Sequence, residues 1–64
     1  MLNIMHLEPG RRLELRSGAI GEIVENMGDG IWVQLRILSA PRGDFAAGDE
    51  ELIHCEDIKD LAPD

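Results

Sequence analysis

A single cysteine, Cys55, stands among the 64 residues, so no disulfide can form within the chain. A domain this short has a thin core and commonly leans on disulfides, a metal or a partner chain. With an internal disulfide excluded, the lone free thiol suits a reducing compartment, and we expect a cytoplasmic protein. Histidine is also scarce. His6, His54 and Cys55 fall short of the roughly four ligands of a structural zinc site. His54 and Cys55 are adjacent in a strand-like run. Their side chains are therefore expected on opposite faces, unable to form a dyad or to share an ion. Cys55 then reads as a small core residue and His54 as a rim residue. No apolar run approaches the roughly 18 residues of a membrane span. Residues 1–7 are apolar but short and lack a basic flank, so they do not read as a secretory signal.

Catalytic and phosphate-binding patterns are missing too. There is no G-x-x-x-x-G-K-[ST], and no G-x-G-x-x-G follows a strand; Gly28 and Asp29-Gly30 do not make a phosphate loop. Glu50 and Glu51 are neighbours rather than a facing carboxylate pair. A chain of this size offers little volume for a pocket. We expect a protein that is not an enzyme and holds no cofactor and no metal.

Basic residues are outnumbered. Six Lys and Arg stand against thirteen acids, for a net charge of −7. Residues 1–43 balance five arginines against five acids, whereas residues 44–64 hold eight acids and only Lys59. The surplus lies in the last third, where it keeps a small domain soluble. Net negative charge repels phosphate backbones and disfavours general nucleic-acid binding.

What remains is a pattern of short strands. Residues 11–16 alternate, with Leu13 and Leu15 on one face and Arg12, Glu14 and Arg16 on the other, the period of a half-buried strand. Ser17-Gly18 is a tight hairpin turn. In residues 19–26, Ala19, Gly21 and Ile23 share one face, and Ile20, Glu22, Val24 and Asn26 the other. Gly21 inside this strand marks a bend, a bulge or a close backbone approach. Residues 27–30 turn the chain again, with Asp29-Gly30 as the hairpin signal. In residues 31–38, Ile31, Val33, Leu35 and Ile37 are expected in the core, with Trp32, Gln34, Arg36 and Leu38 opposite. Residues 39–49, with Pro41, Gly43 and Gly48, read as a long loop. Residues 50–55 form a fourth strand, with Leu52 and His54 opposite Ile53 and Cys55. Residues 56–61 are expected to make a short helical turn, with Ile58 and Leu61, three apart, capping one end.

Residues 9–38 resemble the SH3-like barrels and, within them, the KOW-type domains. Pro9-Gly10, Leu13, Leu15 and Ser17-Gly18 follow that family's G-x-x-V-x-V-x-S-G spacing, and Gly21 and Ile23 follow as its bent second strand. Glu50-Glu51-Leu52-Ile53 and Asp57-Ile58 are similar to the end of short bacterial domains that share this barrel. The resemblance implies an all-β fold, a small, strongly bent antiparallel SH3-like barrel of four or five strands with a short C-terminal helical turn. Residues 11–64 would form it. Residues 1–10 would be an apolar lead-in serving as a strand, a cover or a segment swapped onto a second chain. KOW-type domains commonly bind RNA or ribosomal and transcription proteins through basic residues near the first turn. Here that stretch reads Ala19-Ile20-Gly21-Glu22, without the family's lysines, so the fold is carried over ahead of the RNA contacts.

Two functions are expected from these features. The first is a protein-interaction module, a homodimer or a binder of another protein, using an apolar sheet face of Ile20, Val24, Trp32 and Leu38 rimmed by Arg36 and Glu22. Trp beside Arg is a pairing common among interface hot spots. The alternative is a KOW-like module for RNA, ribosome or transcription machinery, with Arg11, Arg12, Arg16, Arg36 and Arg42 on phosphates. A more distant third is an accessory subunit of a larger enzyme.

Overall fold

The computed structural model describes residues 3–63. Met1, Leu2 and Asp64, the outer ends of the two expected segments, lie outside the described residues. Five strands are present: β1 (Arg12–Leu15), β2 (Ile20–Asn26), β3 (Trp32–Ser39), β4 (Glu50–His54) and β5 (Ile58–Leu61). All pair antiparallel in one sheet of order β4-β3-β2-β1-β5. The two edge strands, β4 and β5, are consecutive in the chain and joined by the 3-10 turn Cys55–Asp57. A three-residue link between opposite edges requires a strongly curled sheet. No ladder joins β4 to β5 among the described residues, so the barrel-like sheet stays open.

Alternation builds the core. Leu13 and Leu15 of β1, Ala19 and Ile23, Val33 and Leu35 of β3, and Ile53 of β4 are all buried in one cluster. Ile37 is buried too. Gly21 faces the same side, where a Cβ would meet Leu35 Cβ at 3.0 Å, so the glycine serves close approach of β2 to β3. Ile31 departs from its expected core position and is 43% exposed. It precedes β3, and its carbonyl accepts from Cys55 N–H at 2.7 Å, at the sheet's end beyond the core.

Three single-residue bulges redirect the side chains. Between Glu14 and Leu15 the register with β5 shifts, leaving Lys59 as the extra residue. Ile58 is buried and Leu61 packs against the core, although they are three apart. The spacing that reads as a helical turn over residues 56–61 is a bulged strand, and the helical turn is confined to Cys55–Asp57. Pairing with β1 satisfies backbone groups that a terminal helical turn would leave open. A second shift leaves Val24 unpaired on β2, and a third leaves Leu38 unpaired on β3.

The bulge at Val24 exchanges the two faces of β2 beyond it. Asn26, expected outside, stands opposite buried Val33. Its side-chain amide donates to the carbonyls of Ile4 at 2.7 Å and Leu7 at 2.8 Å. This clamp ties the N-terminal segment to β2, with Ile4 only 1% exposed in the core.

The second hairpin closes on Asp29, whose carboxylate accepts the backbone N–H groups of Ile31 at 2.8 Å and Trp32 at 3.0 Å. The bond from Trp32, then that from Ile31, holds its pKa below the ordinary carboxylate value. A depressed folded pKa contributes stability above the unfolded value, and this is lost as pH falls through the folded value. Thermal melts of wild type and Asp29→Asn should therefore differ most near neutrality and converge in acid. A gap that stays constant into strong acid would remove the carboxylate's charge from the turn's stability.

Candidate functional site

The exposed face of β3 and β4 presents the most distinctive surface. Strand β3 lies inside the sheet with Val33, Leu35 and Ile37 buried, so its even-numbered residues Trp32, Gln34 and Arg36 point away from the core. The ladder sets them opposite His54, Leu52 and Glu50 respectively. Cys55 N–H donates to Ile31, and Ile37 N–H donates to Asp49. By antiparallel alternation, the three pairs on the outer face are the non-hydrogen-bonded ones, whose side chains approach closest. Each makes a contact or lies beside one. The Trp32 and His54 rings meet edge to face with centroids 5.0 Å apart. Arg36 pairs with Glu50 at 3.3 Å, and Gln34 donates to the same carboxylate at 3.0 Å. Leu52 has no apolar cover and is 56% exposed.

On the other side of Trp32 lies Met27, whose N–H donates to the Trp32 carbonyl at 3.4 Å. Met27 is 42% exposed and Trp32 38%. Met27, Trp32 and Leu52, with His54 beside Trp32 on β4, therefore form an uncovered apolar patch. Farther along the same sheet face runs a row of alternating charge, Glu50, Arg36, Glu22 and Arg12, one residue per strand from β4 to β1. Such cross-strand pairs stabilise the sheet and bound the apolar patch.

The five residues expected to make one apolar face are not brought together. Trp32 and Arg36 share the outer face of β3. Val24, expected beside Trp32, instead lines a cleft of about 450 Å³ with Met5, His6, Leu7 and Pro9. The bulge shifts the register by one, so Met27 stands opposite Trp32, where an unbroken ladder would put Asn26. Ile20 is half-buried and opposite Ser39 at the far end of the sheet, beside the bulged Leu38, which is 38% exposed. Leu52, Met27 and His54 are the additions. Alternation marks Leu52 as the outward neighbour of Ile53, but it does not name the partner across the 39–49 loop.

The arginines alternate with acids rather than forming a stripe. Arg12 and Arg36 are separated by Glu22 in the charged row. Arg16 lies past the other end of β1 and donates through Nε to the Glu56 carbonyl at 2.6 Å. Arg11 precedes β1, and Arg42 is in the loop between β3 and β4.

The His54-Cys55 pair departs from the opposite-face expectation. Strand β4 ends at His54 and the 3-10 turn begins at Cys55, so alternation stops there and Cys55 Sγ lies 3.8 Å from His54 Nδ1. That nitrogen already accepts the Glu56 N–H at 3.0 Å as the turn's cap. The acceptor role of Nδ1 leaves Nε2 as the protonated nitrogen of the neutral ring. No group of three or more His, Cys, Asp or Glu side chains able to hold a metal occurs among the described residues. A second cleft, about 220 Å³, opens at the seam between β1 and β4 and is lined by Leu15, Arg16, Asp44, Phe45, Ile53 and Asp57. Among the described residues no helix is long and apolar enough to cross a membrane. Compared with family models, curated proteins and solved structures, the chain matches none of them.

Proposed function

We propose that this chain is a non-enzymatic protein-interaction module of SH3-like topology that self-associates through the β3–β4 face centred on Trp32. One observation carries the reading: three large apolar side chains, Met27, Trp32 and Leu52, adjoin on one face and are each more than one-third exposed. A patch of adjoining exposed apolar side chains is a preferred contact site. Tryptophan is the most frequent hot-spot residue, and Arg36 and Glu50 supply a polar rim. The strand order, with a 3-10 turn linking the edge strands, supports the SH3-like reading of the sheet. The lone half-buried Cys55 suits a reducing compartment such as the cytoplasm.

Truncating the anchor tests this. Because Trp32 is outside the core, Trp32→Ala should keep a β-type circular dichroism spectrum. It should weaken association by about 30-fold or more, the loss of a hot spot worth ~2 kcal/mol. Light scattering over a concentration series reads the effect. A variant that unfolds, or one that associates as wild type does, would sink the reading.

A further inference from the structure

Resting on that self-association reading and specifying its partner, we propose that a second copy of this chain docks along the free edge of β4. The two β4 strands pair antiparallel about a two-fold axis at Leu52. The backbone pattern defines the register. Cys55, Ile53, Glu51 and Asp49 turn their peptide groups toward β3, as the bonds from Cys55 N–H to Ile31 and from Ile37 N–H to Asp49 require. Glu50, Leu52 and His54 therefore turn theirs toward the open edge, where no strand pairs with them among the described residues.

An exposed edge with a row of unpaired donors and acceptors is a template for another strand. The β3–β4 ladder runs through five successive pairs without a register shift, so this edge is regular. The opposite edge, β5, is broken by the bulge at Lys59 and carries exposed Lys59 and Asp60.

Side-chain complementarity chooses a second copy over a foreign strand. With Leu52 on the axis, its exposed side chain meets Leu52 of the second copy, burying the most exposed large hydrophobe among the described residues. Glu50 then stands opposite His54 of the second copy, and His54 opposite Glu50. His54 Nδ1 is occupied by the Glu56 N–H, so its Nε2–H is available to donate to that carboxylate. Glu50 already accepts from Gln34 and Arg36, and a carboxylate has further lone pairs to accept this bond. No like charges face each other in this register. The two outer faces become continuous, and each Trp32, edge to face with its own His54, is covered where that ring meets Glu50 of the second copy.

Amide hydrogen exchange by NMR on the full chain, with light scattering at each concentration, tests the register. In the dimer, the Leu52 amide should exchange as slowly as that of Ile53. On dilution Leu52 should lose this protection, whereas Ile53, bonded to β3 within its own chain, keeps it. Leu52→Pro should be monomeric with a retained β spectrum, because the N–H it removes faces the open edge, with no strand paired to it among the described residues. A dimer whose Leu52 amide exchanges as in the dilute monomer, with Leu52→Pro still dimeric, would overturn edge pairing and leave the Trp32 face standing. A wild type monomeric at every concentration would overturn both. If Leu52→Pro fails to fold, the contrast between Leu52 and Ile53 in wild type decides.

Discussion

Gly21→Val should lower the melting temperature by several degrees or more. The added Cβ would sit 3.0 Å from both Cβ and Cδ1 of Leu35, and 3.3 Å from the Arg36 carbonyl oxygen. Cδ1 can rotate away, but Leu35 Cβ is fixed to the backbone of β3. Leu35 is fully buried, so its movement disturbs the whole core. Overpacking of this kind costs roughly 1–3 kcal/mol. A chain of this length holds only about 3–10 kcal/mol in total, taking ~0.05–0.15 kcal/mol per residue. Each kcal/mol corresponds to roughly 4–8 °C in a small domain. Thermal unfolding by circular dichroism measures the change. An unchanged Tm would show that β2 and β3 separate without cost and that Gly21 is not placed for close approach.

Asn26→Ala should release the N-terminal segment. The amide of Asn26 is the tie between β2 and the carbonyls of Ile4 and Leu7. Losing two such bonds costs about 1–3 kcal/mol at ~0.5–1.5 each. If the segment then lifts, the burial of Ile4 goes with it, a further ~1.5–3 kcal/mol. The expected signature is local. The Leu7 amide, which donates to the Ile4 carbonyl at 3.2 Å, should lose protection from exchange, whereas the Gly10 amide, bonded to Ile23 at 2.9 Å, should keep it. Protection of Leu7 equal to wild type would mean that apolar packing alone seats the segment. The same release would uncover Val24 and widen the cleft beside it.

The strands with regular alternation were legible from residue order. Leu13, Leu15, Ala19, Ile23, Val33, Leu35 and Ile53 all fall on the buried side that period two assigns them. Ser17-Gly18 and Asp29-Gly30 located both hairpins, because tight turns need the backbone freedom and side-chain acceptors those residues supply. The bulges were not legible. Nothing in the identity of Val24, Leu38 or Lys59 marks a residue skipped by its partner strand. Each skip inverts or displaces the residues next to it: Asn26 turns inward, Met27 takes the position opposite Trp32, and Ile58 with Leu61 imitates a helical spacing. The proposed interaction surface was therefore half readable. Trp32 and Arg36 follow from alternation along β3. Leu52 and His54 join them only through a register set across the long 39–49 loop, whose length leaves the pairing to the packing of Ile53 and Phe45 rather than to turn geometry.

The exposed Trp32 face is most directly tested by the fluorescence of Trp32 itself, the only tryptophan in the chain, recorded over a wide concentration range. Self-association through this face predicts an emission maximum that moves to shorter wavelength as concentration rises, in step with the increase in mass, because the indole leaves water. An emission maximum that stays constant over the same range would contradict it.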